Sequence, residues 1–175
     1  MCYDLPMVIP TSRAELIKAL VTNPVGASAL LWSQVPLAGF AGLKVLRLDE
    51  RGAEVLLPAG WRTQNPFQST YFAAQAMAAE LSTGATALYY IGRTGENVAS
   101  LVTELTAKFT KKATRDAVFT FDDGAGLKAA IDEAARGGEA RTFTCRSVGR
   151  ESDGKVVAEF EITWSFKRRA KKHRA

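Results

Sequence analysis

Between Arg62 and Arg93 the only formally charged side chain is Glu80, set among Met77, Ala78, Ala79 and Leu81. A carboxylate in such company is costly to bury. If buried, its pKa rises and it needs hydrogen-bond partners, the usual setting of a general base or nucleophile. The alternative is a carboxylate that reaches solvent past the end of its helix or serves a structural hydrogen bond. Upstream lies a polar, turn-prone stretch, Gln64-Asn65-Pro66-Phe67-Gln68-Ser69-Thr70, which leads into the Glu80 segment. Backbone N–H groups at the start of a helix there, around Ser69 to Phe72, would point outward with the positive end of the helix dipole and could hold a developing oxyanion or a carbonyl. Asn65 and Gln68 could orient a water or that carbonyl, or they could cap the helix and brace the loop. Ser69, Thr70 and Tyr71 supply hydroxyls, but no nearby histidine could activate them.

Counts of other reactive residues exclude whole mechanisms. Cys2 and Cys145 are isolated thiols, too few for a disulfide framework or a zinc site, so no metal ligands are assigned. The single histidine, His173, sits in a basic tail, which argues against Ser-His-Asp and Cys-His chemistry. Asp123-Gly124-Ala125-Gly126 is a fragment of a dinucleotide fingerprint without the strand–helix–strand setting, and reads as a turn and helix start. No cofactor is expected. Lys111, Lys112 and Arg115 cluster between two strands and could meet a diphosphate, or form a solvated group of strand-end charges.

The 175 residues carry a net charge of +5, but Lys167, Arg168, Arg169, Lys171, Lys172 and Arg174 crowd the last nine positions. The basicity therefore describes a tail and not a face of the folded body. No specific nucleic acid is expected as a partner; RNA or anionic lipid binding by the tail is the weaker alternative. No apolar run approaches the roughly 18 residues of a membrane-spanning helix, so no membrane span is expected. The opening Met1-Cys2-Tyr3-Asp4-Leu5-Pro6 lacks a basic head and an apolar signal core, so the expected location is the cytoplasm.

The elements that must position these residues follow from periodicity and punctuation. Ser12 with Glu15 has capping-box spacing before Leu16, Ile17, Leu20 and Val21, a short helix stopped at Asn23-Pro24. A second helix is expected around Gly26 to Trp32, broken by Pro36 and Gly39. Leu43 to Asp49 and Ala53 to Leu57 read as a hairpin across Glu50-Arg51-Gly52. Tyr71 to Thr83 reads as a long helix closed by Gly84, with Thr86 to Ile91 beginning the sheet. Leu101, Thr103, Leu105, Ala107 and Phe109 are expected on one face of a strand. Asp123-Gly124 opens a surface helix, Leu127 to Arg136. Strands from Phe143 and over Val156 to Phe166 complete the set, the last with strict alternation. The fold class is α+β. Alanines 73, 74, 76, 78 and 79 would let a sheet approach the long helix on several sides, as when a sheet wraps a helix.

The segment Asn65-Pro66-Phe67-Gln68-Ser69-Thr70-Tyr71-Phe72-Ala73-Ala74-Gln75-Ala76-Met77-Ala78-Ala79-Glu80-Leu81-Ser82-Thr83-Gly84 resembles the central-helix region of hotdog-fold thioesterases. The likeness is greatest to the phenylacetyl-CoA thioesterase-like branch and its relatives of unknown function. In that branch an Asn opens the loop, His-Gly-Gly begins the helix, an acid follows about nine residues after the His, and a glycine closes the helix. Asn65, Glu80 and Gly84 match, and the final strand from Gly154 to Glu159 is also similar. Tyr71-Phe72-Ala73 departs, placing a large aromatic and an alanine where the enzymes have glycine backbone.

The resemblance implies a hotdog fold: a curved antiparallel β-sheet wrapped around a long central helix. Here it would carry an N-terminal helical extension (1–42) before the hotdog domain (43–168) and a basic tail (169–175). It implies a homodimer, with a tetramer left open, whose sites lie between the helix of one subunit and the loop of the other. The implied activity is hydrolysis of acyl-CoA or another acyl thioester. Glu80 would be base or nucleophile, Asn65 would position substrate or water, and a helix-start amide would polarise the carbonyl. Gln68, Ser69, Phe67, Tyr71, Phe72 and Met77 are the candidate substrate-binding residues, and Lys111, Lys112 and Arg115 would meet the coenzyme A diphosphate. A non-catalytic dimer that binds an acyl-thioester or fatty-acyl ligand is the alternative.

Overall fold

The computed structural model describes residues 23–169; the Ser12 capping box, Cys2, His173 and the end of the basic tail lie outside the described residues. Asn23 begins the described chain as a helix cap. Its Oδ1 accepts from the backbone N–H groups of Val25 and Gly26, both at 3.0 Å, and starts α1 (Pro24–Gln34). Pro36, expected to break the chain, instead opens a short α2 (Pro36–Ala41). Proline suits the first helical position, where its missing N–H has no partner to lose.

Six strands form one sheet in the order β1-β2-β4-β5-β6-β3: β1 (Lys44–Leu48), β2 (Ala53–Leu57), β3 (Val98–Phe109), β4 (Ala117–Phe121), β5 (Arg141–Glu151) and β6 (Val156–Arg168). Every neighbouring pair is antiparallel. The curved sheet wraps α3 (Phe72–Thr94), which packs against β1, β2, β4, β5 and β6. Ala74, Ala78 and Ala79 are buried, with Ala78 and Ala79 at 0% exposure, so small side chains bring the sheet close to the helix. The fold class is that of a hotdog protein, α+β with a long central helix.

Two expectations are corrected. The long helix does not end at Gly84 but runs to Thr94, where Gly95 takes the left-handed conformation (φ 70°) of a C-cap. Thr86 to Ile91 is therefore helix, not strand. Ala85, Thr86, Ala87, Tyr89 and Tyr90 are all buried; a helix enclosed on several sides loses the polar stripe that would reveal its period. Gly84 serves close packing: a Cβ there would lie 3.4 Å from the Trp164 ring and 3.0 Å from Glu80 Oε1.

The second correction concerns β3. A bulge between Val102 and Glu104 inserts Thr103, and an extra residue reverses the alternation of all that follows. Leu101 pairs with Ser165 on the polar face. Leu105, Ala107 and Phe109 pair with Ile162, Phe160 and Ala158 on the inner one. The final strand alternates as expected, with Ala158, Phe160, Ile162, Trp164 and Phe166 all buried. The last helix, α4 (Gly124–Gly137), is capped by Asp123 and buries Leu127, Ile131, Ala134 and Ala135.

Candidate functional site

The loop before α3 is built around one side chain. Asn65 Oδ1 accepts from Phe67 N (3.0 Å), Ser69 N (3.3 Å) and Ser69 Oγ (3.2 Å). Two of these donors are backbone N–H groups, which fixes the oxygen inward and turns the Asn65 NH2 outward. No protein acceptor takes that NH2 among the described residues. Gln68 stands at the turn with φ +57°, exposed.

The loop then passes under two braces, Thr70 N to Ala113 O at 2.8 Å and Tyr71 N to Thr63 O at 2.7 Å. Tyr71 is the N-cap of α3 but gives no side-chain cap; its carbonyl accepts from Ala74 N and Gln75 N. Ser69, Thr70 and Tyr71 have therefore committed the amides that the sequence offered. The N–H groups of Phe72 and Ala73 are left without an acceptor among the described residues. They combine the positive end of the helix dipole with two unused donors, which is what a carbonyl about to become an oxyanion needs.

Phe72, though not Ala73, borders a groove of about 570 Å³. Asn65, Phe67, Ser69, Tyr71, Phe72, Lys111 and Lys112, all singled out from the sequence, line it together with Gln75 and Phe109. The aromatic wall is continuous: Tyr71 and Phe72 meet edge to face at 4.8 Å, Phe72 and Phe109 at 6.5 Å, and Phe109 and Phe160 at 5.7 Å. Gln68, Met77, Glu80 and Arg115 do not line it. Met77 is half-buried against the core.

Glu80 lies elsewhere on α3. Phe72 and Glu80 are separated by about 12 Å of helix axis at 1.5 Å per residue. Its carboxylate packs toward Gly84, beside Trp164; the Trp164 indole N–H donates to Thr83 Oγ1 at 2.9 Å. Burial pushes the Glu80 carboxyl above its ordinary value. No donor or cation contacts that carboxylate among the described residues. Partial burial, a raised pKa and no partner are the features expected of a carboxylate kept for chemistry.

The basic cluster divides. Lys111 Nζ donates to Glu151 Oε2 at 2.5 Å. The buried Glu151 also accepts the N–H groups of Thr114 and Arg115 at 2.8 and 3.0 Å, so Lys111 is occupied by a structural clasp. Lys112 borders the groove and is exposed, with no ion-pair partner among the described residues. Arg115 is exposed away from the groove.

Sequence reading passed over Gln75, Phe109 and Glu151. Gln75 is a polar residue in an alanine-rich helix and Glu151 an acid in a strand; either pattern reads as surface, and only the loop packed over each shows that it is buried. Cys145, 0% exposed, has its thiol pushed up to about 12 by burial, which makes it inert. No group of three or more metal-ligating side chains gathers among the described residues. No helix among them is long and apolar enough to cross a membrane.

Solved structures share this architecture. A protein of unknown function from Pseudomonas aeruginosa, described as a probable thioesterase, superposes with a TM-score of 0.71 at 21% identity, over 83% of this chain and 97% of that one. A thioesterase from Haemophilus influenzae gives 0.57 at 16% identity, over 82% and 90%. A thioesterase from Staphylococcus aureus gives 0.58 at 12% identity, over 76% and 99%. No curated protein matches the chain. With the fold shared at this level and residues 26–166 matched by one family model, the chain belongs to the family described as Domain of unknown function (DUF4442).

Proposed function

We propose that the protein is an acyl-thioester hydrolase that works as a homodimer, acyl-CoA being its expected substrate. The observation that carries this reading is the pairing, on one helix, of two unused amides at Phe72 and Ala73 with the partnerless, pKa-raised carboxylate of Glu80. The first supplies an electrophile-polarising site and the second a base or nucleophile. The roughly 12 Å between them along the axis is too long for one protomer to bring both to one carbonyl. A site shared by two subunits brings the helix start of one to Glu80 of the other.

The edge strand β3 supports such a dimer. Its outer hydrogen-bonding edge is unpaired in the sheet order. Leu105 and Phe109 on its inner face are 44% and 47% exposed, and Phe72 and Leu88 on α3 are 57% and 54% exposed. A long apolar edge of this kind is a liability unless another chain covers it.

In this reading the thioester carbonyl rests on the Phe72 and Ala73 amides. The Asn65 NH2, held outward by its own turn, donates to the substrate or the attacking water. Glu80 takes the water proton as oxygen bonds to the carbonyl carbon, or attacks that carbon itself. By the first route the C–S bond breaks and Glu80 returns that proton to the thiolate; by the second the thiolate leaves behind a mixed anhydride, which water then hydrolyses to release the acid and free Glu80. The S. aureus thioesterase has been studied with a glutamine and a glutamate fifteen residues apart each replaced by alanine; fifteen residues also separate Asn65 from Glu80. Lys112, exposed on the groove, would meet a phosphate of the carrier.

Thiol release from short, long and aromatic acyl-CoA thioesters, with the natural protein beside Glu80→Gln, tests the reading. Turnover that disappears in the variant supports it. Phe72 favours a second reading, in which the dimer binds the ligand without turning it over, because a large exposed side chain stands at the helix start in place of glycine. Unchanged ligand affinity in Glu80→Gln, with no hydrolysis in either protein, would select that reading.

A further inference from the structure

Gln75 lies one turn into α3 and is only 4% exposed. Its Nε2 donates to Thr70 O at 3.1 Å, which ties the loop to the helix. That bond assigns the other amide atom as oxygen. Gln75 Oε1 is then an acceptor that is shut off from solvent and has no hydrogen-bond partner among the described residues. Native proteins leave few such atoms, because the interaction with water has been given up and nothing has replaced it. Gln75 also lines the groove beside Tyr71, Phe72 and Phe109.

The missing partner must be a donor. The reacting part of a thioester has none, since its carbonyl oxygen and sulfur are both acceptors, and these are matched by the Phe72, Ala73 and Asn65 N–H groups. Bulk water does not reach Oε1. Tyr71 and Phe72, both half-exposed, line the groove beside Gln75, and an acyl group that displaced their rings would bring its own donors to Oε1. We propose that Gln75 Oε1 accepts a hydrogen bond from a hydroxyl on the acyl chain, which makes the groove selective for hydroxylated acyl thioesters. The inference rests on the thioesterase reading for its ligand class. A buried acceptor in an aromatic groove discriminates strongly, because a substrate lacking the hydroxyl leaves the acceptor unpaired at the moment of binding.

The test uses acyl-CoA thioesters in pairs that differ by one hydroxyl, 3-hydroxyhexanoyl with hexanoyl and hydroxyphenylacetyl with phenylacetyl, and their non-hydrolysable thioether analogues. The full-length natural protein is expected to prefer the hydroxylated member of at least one pair by roughly a hundredfold in kcat/KM, and to bind its thioether analogue more tightly. In Gln75→Met, checked for folding by thermal unfolding, that ratio is expected to fall close to one. Should methionine prevent folding, Gln75→Asn carries the same expectation, since it withdraws the oxygen by one methylene.

Hydrolysis without any hydroxyl preference overturns the proposal and leaves the thioesterase reading standing. A preference that survives in the variants also overturns it, as does an equal loss for both members of each pair, which is the signature of a bond to the pantetheine amides or of a purely structural Gln75. Hydroxyl-dependent affinity for the thioethers without any hydrolysis supports the proposal and sinks the thioesterase reading instead.

Discussion

Lys111 donates to Glu151 Oε2 while the other oxygen of that carboxylate holds the backbone N–H groups of Thr114 and Arg115. One buried acid thus folds the 111–115 turn beneath the groove mouth. The bond from Lys111, then those from the turn amides, hold the Glu151 carboxyl below its ordinary value. A group whose folded pKa is depressed adds stability above its unfolded pKa and loses it as the pH falls through the folded value.

Neighbouring lysines are therefore expected to behave differently. Glu151→Ala should cost about 2 kcal/mol, the order for leaving the Thr114 and Arg115 N–H groups without their acceptor, since the Lys111 side chain is 36% exposed and returns to solvent. It should also flatten the acid limb of stability below the ordinary carboxylate range. Lys112→Ala should leave stability within about 0.5 kcal/mol and raise KM for CoA thioesters a few-fold, with kcat unchanged. Urea unfolding across pH and steady-state kinetics check the two halves.

Glu80 carries the opposite sign. Its carboxyl is raised by burial, so the folded state binds the proton more tightly than the unfolded one. Stability is greatest below the unfolded pKa and declines as pH rises through the folded value. Glu80→Gln should remove that decline and raise stability at neutral pH, because it takes away a partly buried charge while keeping a polar group of the same shape. It should also abolish hydrolysis. In the natural protein kcat/KM should climb with pH along a limb lying above the ordinary carboxylate range. Thermal unfolding and a pH–rate profile measure both.

Gly84→Ala separates packing from chemistry. Alanine favours a helix interior by about 1 kcal/mol over glycine, but its Cβ would stand 3.0 Å from Glu80 Oε1, the movable end of a side chain. The expected result is a protein of equal or higher melting temperature whose kcat falls about tenfold because the carboxylate is displaced. Unchanged kcat would show that the position of Glu80 is unimportant.

The subunit arrangement is open to one substitution. Leu105→Lys puts a charge on the exposed inner face of the β3 edge. Light scattering should find a monomer, and thiol release should fall at least a hundredfold because each site would lack half its groups.

The sequence made the loop–helix constellation legible because polarity isolates it: one acid in an otherwise uncharged stretch, and an asparagine before proline at the helix entrance. The last strand was equally plain, since β6 alternates without interruption. Elements governed by three-dimensional enclosure were not. The second half of α3 carries no polar face, because the sheet and α4 cover most of it and its exposed position, Leu88, is apolar, so Thr86 to Ile91 resembles a buried strand. Thr103 is an ordinary strand residue, and nothing local marks it as a bulge. Gln75 and Glu151 became interesting only when packing had hidden them. Lys111 and Lys112 are adjacent and alike in sequence, and only the position of Glu151 tells them apart.

The extra residue in β3 has a genetic corollary. Edge strands usually tolerate small insertions and deletions, because little lies beyond them. Loss of the Thr103 codon would close the bulge and keep Glu104 opposite Thr163 and Leu105 opposite Ile162, whereas loss of the Thr106 codon would bring Lys108 to the concave side and turn Phe109 outward. Phe109 closes the aromatic wall of the groove, and Leu105 lies on the proposed subunit interface. A deletion at the bulge is thus absorbed, while one three residues later removes the groove wall, although β1 to β2 and β4 to β6 keep every pairing they have.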